Sequence, residues 1–400
     1  MKNKKADINL LNGPQIQQTP LQVFKRFLKF GFLAWGGPIA QIAMIRKELV
    51  EEEKWVSKEH FNRALAVYQA LTGPEAHELC VYFGMLAGRG WGGFLAGLGF
   101  MLPGFALMLL LTWFYIQYGV KSPTFQFIFI GFQASVIALI FMGTYRIGRH
   151  AIINIKLLII TAVSAGLYFI GTSFFIVLPL AGIVYTALMG RNKAGTTLLI
   201  MLLLISAINF SFTAPAISYG TLNNTSPLAI FFTGFKGGIL TFGGAYTVIP
   251  FIQQDAVINN EWMTNKQFLD GIALSGILPA PLIIFTTFVG YFAGGWLGAF
   301  IITAAIFLPS FCFTLIGHRF LQKVIENKAL HNFLDGVTAG VIGLIATTAI
   351  QILITTFTDV FSIIIFTISL LTLYLLKSKF AVVFVIIGSG LISLIYNLMV

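Results

Sequence analysis

The chain has 400 residues, of which 57% are hydrophobic and only 10% are charged, and its mean hydropathy is +0.88. This composition lies far outside the range of water-soluble globular domains, so it excludes a soluble enzyme and a soluble binding module. The net charge of +11 includes no basic run interleaved with stacking aromatic residues, so nucleic acid is not an expected partner.

Apolar stretches long enough to cross about 30 Å of hydrocarbon as helices recur along the chain. Strict alternation of apolar and polar residues is absent, which favours helices over the strands of a membrane barrel. The first twenty residues are polar and contain no cleavable signal, so we expect the membrane helices to direct insertion. About thirteen transmembrane or re-entrant helices are predicted, over residues 24–45, 64–87, 91–118, 124–145, 152–170, 173–189, 195–216, 228–251, 268–293, 295–317, 333–352, 358–376 and 380–398.

The two halves of the chain repeat the same order of glycine, proline and tryptophan residues. A shift of 207 positions carries Gly36 onto Gly243. The same shift pairs Lys29 with Lys236, Gly37 with Gly244, Trp55 with Trp262 and Pro74 with Pro281, and a shift of 206 pairs Gly84 with Gly290, Gly88 with Gly294 and Pro103 with Pro309. Such ordered identities are hard to obtain by chance in apolar sequence, so we infer an internal duplication.

The duplication divides the chain into four parts. Residues 1–23 are predicted to form a cytoplasmic tail, 24–190 the first repeat, 191–227 a linker helix and 228–400 the second repeat. Because one linker span separates two repeats of six spans, the second repeat is expected to be inverted across the membrane. The predicted fold is therefore an all-α polytopic membrane protein with two inverted homologous repeats, some of whose helices are broken at glycine and proline motifs.

Most loop charges favour this inversion, because cytoplasmic loops carry an excess of lysine and arginine. Arg146 and Arg149 follow the fourth span, whereas the equivalent turn at 356–360 contains no basic residue. The loop at 46–63 fits less well, because it contains five basic and five acidic residues and the inverted scheme places it outside. A re-entrant hairpin before this loop would place it inside, so both arrangements stay open. Within it, residues 51–60 are interpreted as a solvated interfacial helix anchored by a tryptophan.

Glycine pairs interrupt one predicted span in each repeat. Gly36 and Gly37 precede Pro38 in the first repeat, and Gly243 and Gly244 occupy the equivalent place in the second. Non-helical backbone at membrane depth is tolerated only beside protein or a watery cavity. A break there leaves helix ends whose N–H groups can bind an anion. Close helix packing is the alternative for any single glycine pair, but the symmetric occurrence favours a break.

A lysine precedes each glycine pair by about two helical turns. Lys29 and Lys236 occupy the same repeat position. A lysine at the centre of a membrane helix costs about 2.5 to 3.5 kcal/mol, so its presence in both halves indicates a role in binding an anion. The alternative is that the side chain snorkels to the surface, which suits Lys29, beside Lys25 and Arg26, better than Lys236.

A proline break also occurs in each repeat, within LTGPEAHELC at 71–80 and LPAPLIIFTT at 278–287. Only the first contains ionisable residues, namely Glu75, His77 and Glu78. A carboxylate at a helix N-terminus is stabilised by the helix dipole, and Glu75 is our candidate proton carrier, with His77 as a second candidate. The alternatives are an ion pair between Glu75 and a lysine, and a histidine that is simply buried with its hydrogen bonds satisfied.

With these motifs the chain resembles the chromate ion transporter family in its long, two-domain form, over nearly its whole length from Phe24. The family's GGP motif falls on residues 36–38, and its second FGG motif falls on 242–244. Its PGP motif is imperfect in both halves, with Thr-Gly-Pro at 72–74 and Pro-Ala-Pro at 279–281. A histidine common after the first GGP is replaced by glutamine. These departures leave the identity of the transported oxyanion open.

The resemblance implies a multi-pass inner-membrane exporter that moves chromate out of the cytoplasm, with sulfate as the related oxyanion. Chromate is a tetrahedral dianion, which backbone N–H groups and lysines from two half-sites can surround. The predicted substrate-binding residues are Lys29, Gly36, Gly37, Pro38, Gln41, Gly73, Pro74, Lys236, Gly243, Gly244, Pro279 and Pro281, and the predicted proton-coupling residues are Glu75 and His77.

Two other functions compete with this one. An integral-membrane enzyme acting on lipid requires clustered histidine and carboxylate residues, but the five histidines are scattered, so we rank it below transport. A transporter of a different small anion stays open. We expect no cofactor and no metal, and Cys80 and Cys312 lack the spacing of a metal site. The expected partners are the oxyanion and membrane lipid, and a homodimer is left open.

Overall fold

The computed structural model describes residues 18–69, 73–119, 121–190, 226–317, 328–357, 359–376 and 378–399. Over these ranges the chain is helical and contains no β-strand, as the hydropathy pattern predicts. The predicted linker span at 195–216 lies outside the described residues. The helices are α1 (Pro20–Leu33), α2 (Gly37–Ile45), α3 (Lys58–Gln69), α4 (Glu75–Phe114), α5 (Pro123–Ala151), α6 (Ile155–Phe169), α7 (Phe174–Met189), α8 (Pro227–Ile239), α9 (Ile249–Gln253), α10 (Asn265–Gly276), α11 (Phe285–Leu315), α12 (Lys328–Thr356), α13 (Val360–Leu375) and α14 (Ala381–Met399).

Several of these helices are long and apolar enough to cross a membrane. Five such stretches occur among the described residues: Glu75–Gly119, Pro123–Ala151, Leu282–Leu315, Ala329–Thr356 and Ala381–Met399. Helices α6, α7, α8 and α13 are shorter but also apolar. The protein is therefore an all-α polytopic membrane protein, and the total number of crossings stays a prediction.

Helix α4 is a helical hairpin rather than one continuous rod. Gly88 and Arg89 leave the helical conformation, and Arg89 has a left-handed φ of 55°. A Cβ on Gly84 would overlap the carbonyl oxygen of Gly92, so the backbones of the two arms touch. Glycine at both positions is what permits this approach. The structure thus agrees with the predicted division between residues 64–87 and 91–118.

Helix α11 is folded in the same way. Gly294 and Gly295 interrupt it, and Gly295 has a φ of 61°. Gly290 lies against the carbonyl of Gly298, as Gly84 lies against Gly92 in the first repeat. Both hairpins also contain a proline in the second arm, Pro103 in α4 and Pro309 in α11. The repeated hairpin agrees with the duplication inferred from the glycine spacing.

The same correspondence extends through the rest of the fold, in which α1–α7 and α8–α14 follow in parallel order. Thr19 caps α1 and Ser226 caps α8, each directly before a proline at the first helical position. Lys54 and Glu261, which the shift of 207 pairs, both have left-handed φ values, of 56° and 53°. The inverted orientation of the two repeats stays a prediction.

The two repeats are interlocked rather than placed side by side. Helix α1 packs on α4 and α8 packs on α11, while α4 and α11 pack on each other across the repeat boundary. The last helices of each repeat pack on the other repeat. Helices α6 and α7 of the first repeat lie against α12, and α13 and α14 of the second repeat lie against α5. The largest hydrophobic core accordingly contains buried residues from both halves.

One local prediction is wrong. Residues 51–60 do not form an interfacial helix, because a π-helical turn ends at Glu52 and α3 begins only at Lys58. Trp55 is 3% exposed and donates a hydrogen bond from Nε1 to Glu53 Oε2 at 2.8 Å. Its indole therefore packs inside the protein instead of anchoring a helix at the lipid headgroups.

Candidate functional site

The first glycine pair breaks the helix as predicted. Helix α1 ends at Leu33 and α2 begins at Gly37. Gly36 and Gly37 have φ values of 90° and 74°, a conformation that glycine adopts readily. Pro38 occupies the first turn of α2, where its missing N–H costs nothing. A Cβ on Gly36 would lie 2.8 Å from the carbonyl oxygen of Lys379, so this break lies against the turn that precedes α14.

The second glycine pair lies deeper in the protein. Gly243 and Gly244 have φ values of 72° and 129°, and a 3-10 turn at Ala245–Val248 follows them. A Cβ on Gly243 would lie 3.9 Å from Ile147 on α5 and 3.9 Å from Thr338 on α12. The break is therefore enclosed by the central helices of both repeats, whereas the first break lies at the edge of the fold.

The proline motif of the first repeat meets this second break. The N–H of Gly73 donates a hydrogen bond to the carbonyl of Thr241 at 2.8 Å. Gly73 has a φ of 141°, and Pro74 directly precedes the first residue of α4. A Cβ on Gly73 would lie 2.7 Å from Glu78 Oε1. Two motifs that the sequence marks in different halves are thus brought together by backbone contact.

The proline motif at 279–281 also packs against the other repeat. A Cβ on Gly104 would lie 2.5 Å from the Cβ of Ala280, and a Cβ on Gly73 would lie 3.3 Å from the Cβ of Ser310. The shift of 206 positions carries Gly104 onto Ser310. Each proline motif therefore packs against the second hairpin arm of the opposite repeat, which places both motifs at the boundary between the repeats.

Both predicted lysines have an acidic partner in their own repeat. Lys29 Nζ lies 3.3 Å from Glu48 Oε1, and Lys236 forms an ion pair with Asp255. The shift of 207 carries Glu48 onto Asp255, so the ion pair is part of the repeat. The Lys29 side chain is 61% exposed, which suits snorkelling, whereas the Lys236 and Asp255 side chains are only 20% and 8% exposed.

The environment of the Lys236 pair differs from that of a surface ion pair. Asp255 also accepts hydrogen bonds from Thr233 Oγ1 at 3.2 Å and from Asn259 Nδ2 at 3.1 Å. The Lys236 ammonium lies 5.3 Å from the centroid of the Phe174 ring, within the range of a cation–π contact. The Lys236 ammonium is therefore held by the Asp255 carboxylate and by the face of an aromatic ring.

Gln41, predicted from the family resemblance as a substrate contact, is hydrogen-bonded to the backbone at the first break. It is buried, and its Nε2 donates a hydrogen bond to the carbonyl of Ala34 at 2.9 Å. This carbonyl belongs to the helix end that the break leaves open, so Gln41 satisfies a backbone acceptor of the break. No feature of the sequence reveals this bond, because it depends on the angle between α1 and α2.

The ionisable residues behind Pro74 occupy the first turn of α4. His77 is fully buried, with Nδ1 2.9 Å from Ser310 Oγ and its ring between Phe307 and Phe311, at centroid distances of 4.8 Å. The described residues contain no ion pair to Glu75, so they do not support the alternative explanation of that residue.

Glu78 is a further member of this group that is not among the predicted site residues. Its side chain is fully buried, and neither oxygen has a hydrogen-bond partner within the described ranges. Its position three residues after Glu75, on the same face of the helix, is the signal that could have identified it. No cluster of three or more metal-binding side chains occurs in the part of the chain that the structure describes.

Comparisons with known proteins agree with this architecture. The Chromate transporter family matches residues 21–214 and 228–394. A chromate transport protein of Pseudomonas aeruginosa is 50% identical over 92% of this chain and 91% of its own length. The chain belongs to the chromate transporter family. One match segment falls on each half, as in the long form with two repeats, and the protein is a membrane transporter rather than an enzyme.

Other members of the chromate transporter family are more distant. A chromate transport protein of Cupriavidus metallidurans is 29% identical over 81% of this chain and 80% of its own length. A probable chromate transport protein of Synechococcus elongatus is 30% identical over 81% of this chain and 82% of its own length. No solved structure matches the chain.

Proposed function

We propose that the protein exports chromate, or a related tetrahedral oxyanion such as sulfate, from the cytoplasm across the inner membrane of the cell. The observation that carries this proposal is the contact of Gly73 with Thr241, which joins one repeat's proline motif to the other's helix break. Such a junction between repeats, made of non-helical backbone, is where transporters of this architecture bind their substrates. The relatives named as chromate transport proteins supply the class of anion.

The proposed substrate site lies at the second break, where Gly73 donates a hydrogen bond to the carbonyl of Thr241, two residues before Gly243. Backbone N–H groups of the break donate to the oxyanion, because a dianion requires several donors and non-helical residues leave theirs free. Lys236 lies on the helix that ends at this break and supplies positive charge when Asp255 releases it. Substrate binding and rearrangement of this ion pair are therefore coupled.

The first break is proposed to act as the equivalent half-site when the transporter opens to the other side of the membrane. It contributes Gly36, Gly37 and Pro38, with Lys29 on the preceding helix. In that state Pro279 and Pro281 take the place beside the substrate that the proline motif of the first repeat has at the second break. The different burial of the two breaks supports this exchange, because inverted repeats that adopt different conformations face one side of the membrane at a time.

Export is proposed to be coupled to the proton gradient through Glu75, assisted by His77. The partly buried Glu75 lies directly after Pro74, so a proton bound there changes the charge beside the substrate. We expect Glu75→Gln to flatten the pH dependence of flux in proteoliposomes. Glu59→Gln, which changes an exposed carboxylate on α3, is the control and should behave as wild type. An unchanged pH profile in Glu75→Gln would remove Glu75 from the coupling.

Uptake of radiolabelled chromate into everted vesicles tests the substrate and the direction together. Vesicles containing the protein should accumulate chromate faster than vesicles from cells without it, and excess sulfate should reduce the rate. Uptake that sulfate leaves unchanged would restrict the substrate to chromate. Equal rates in both vesicle preparations would overturn the proposal and favour a different small anion.

A homodimer, the proposed assembly, would appear as twice the monomer mass in light scattering.

A further inference from the structure

A cavity of about 300 Å³ lies between the repeats, away from the residues assigned above. Its polar lining comes from the turn after α4, from α5 and from α10, through Tyr115, Gln126, Gln133, Lys266, Gln267 and Asp270. Lys266 is exposed, and Asp270 lies one helical turn further along α10 and is only 3% exposed. The cavity is large enough for several water molecules and leads from an ammonium group to a buried carboxyl group.

The Asp270 carboxyl group is held by two donors from the first repeat. Tyr115 donates from its hydroxyl to Oδ2 at 2.7 Å, and Gln133 donates from Nε2 to Oδ1 at 2.9 Å. The Tyr115 ring is fixed by edge contacts with Phe129 and Phe288, at centroid distances of 4.9 and 5.1 Å. Because Asp270 belongs to the second repeat, these two hydrogen bonds cross the boundary between the repeats.

The fold itself does not require a carboxyl group at position 270. The equivalent residue of the first repeat is Arg63, which is exposed, so the repeated fold forms without an acid here. A buried carboxyl group is expensive unless it is paired or binds a proton. Four titratable or charged groups face the Asp270 carboxyl group or the cavities beside it, namely Lys266 on α10, Tyr115 after α4, Asp359 before α13 and Tyr396 on α14. Helices α5 and α11 present glutamine and phenylalanine side chains there.

We propose that Asp270 is a proton-exchange site that binds and releases a proton at the base of this cavity. The proton moves from a hydronium ion in the cavity to a carboxylate oxygen and leaves a water molecule behind. In the ionised state both oxygens accept hydrogen bonds. In the protonated state Oδ2 donates to the Tyr115 hydroxyl oxygen, while the bond from Gln133 is retained. Proton binding therefore reverses one hydrogen bond between the repeats without breaking their contact.

Infrared spectroscopy of the purified full chain tests this site without any transport assay. We expect a protonated-carboxyl band whose intensity falls as pH rises and which disappears in Asp270→Asn. Asparagine has the same shape and can keep both hydrogen bonds, and Glu59→Gln, on the exposed face of α3, should keep the band. Spectra in which Asp270→Asn retains the titrating band would overturn the proposal.

Tyr115→Phe provides a second variant in case Asp270→Asn fails to fold. It removes the donor to Oδ2 but leaves the carboxyl group, so the band should persist at a shifted frequency. A band at the wild-type frequency in a monodisperse Tyr115→Phe preparation would overturn the assignment to Asp270, because this hydrogen bond would then not involve the titrating group.

The consequence for transport rests on the proposed function and is measured separately. In proteoliposomes, Asp270→Asn should lose at least tenfold of the chromate flux driven by a pH gradient and should keep chromate exchange at equal pH. A wild-type protein that moves no chromate would contradict the proposed function and leave the infrared result standing. Gradient-driven flux that is unchanged in Asp270→Asn would overturn the role of Asp270 alone.

Discussion

At the scale of single residues, the pairing of Lys236 with Asp255 decides how the charge of the second repeat is used. Removing one partner of a buried ion pair costs about 3–5 kcal/mol, because the other charge stays buried without compensation. Exposed pairs contribute only about 0–1 kcal/mol. The Lys236 pair is mostly buried, whereas Lys47 and Glu52 form a surface pair with side chains that are 74% and 57% exposed.

We therefore predict that Lys236→Ala lowers the free energy of unfolding by about 3–5 kcal/mol and abolishes chromate flux. The double variant Lys236→Ala with Asp255→Ala should recover most of the stability but none of the flux, because no unpaired charge remains and the ammonium group is still missing. Lys47→Ala is the surface control, with a change of about 0–1 kcal/mol and normal flux.

Unfolding in detergent and flux in proteoliposomes measure the two effects separately. Normal transport by the double variant would show that Lys236 only balances Asp255 and has no part in binding the oxyanion.

The sequence predicts the lysines and the glycine breaks but not the acidic partners of the lysines. Glu48 and Asp255 were available to the same argument, since the shift of 207 pairs them as it pairs Lys29 with Lys236. The pairing alone does not show an ion pair, because each acid lies 19 residues beyond its lysine, on the far side of the glycine break. The hydrogen bond of Gln41 cannot be predicted from the sequence, since its acceptor is a backbone carbonyl that only the bend between α1 and α2 exposes.

At the scale of elements, the two helical hairpins position the site. In α4, Gly84 and Gly92 allow the arms to touch, which brings Pro74 at the start of the first arm beside the second repeat. Hydropathy and glycine spacing predicted these hairpins well, because apolar length and helix breaks are local properties. The prediction of an interfacial helix around Trp55 is wrong because the burial of this indole depends on helices distant in sequence.

Gly84→Ala should destabilise the protein by about 1–3 kcal/mol, because its methyl group would overlap the backbone of the opposite arm. Gly90→Ala is the matched control in the same hairpin. A Cβ there meets nothing within 4 Å, so this variant should be as stable as wild type or up to about 1 kcal/mol more stable. Thermal unfolding in detergent compares the two. Equal midpoints for both variants would contradict the close contact of the two arms.

At the scale of the whole molecule, the central claim is that a duplicated unit has copies inverted across the membrane, with the second break and the proline motif of the first repeat in contact at their boundary. The duplication can be inferred from the sequence, because matching glycines and prolines occur in both halves. The interlocking of the halves cannot be inferred from the sequence. Helices α6 and α7 pack on α12, whereas α13 and α14 pack on α5, and these apolar contacts have no sequence signature.

Cysteine labelling at equivalent positions tests the inversion most directly. Lys54 and Glu261 are exposed and share the same left-handed backbone, so Lys54→Cys and Glu261→Cys are matched probes. The background carries Cys312→Ser, because Cys312 is exposed while Cys80 is buried.

A membrane-impermeant maleimide applied to intact cells should label one of the two cysteines, and the other should react only after permeabilisation. Labelling of both cysteines from the same side would contradict the inverted arrangement and, with it, the site proposed between the repeats.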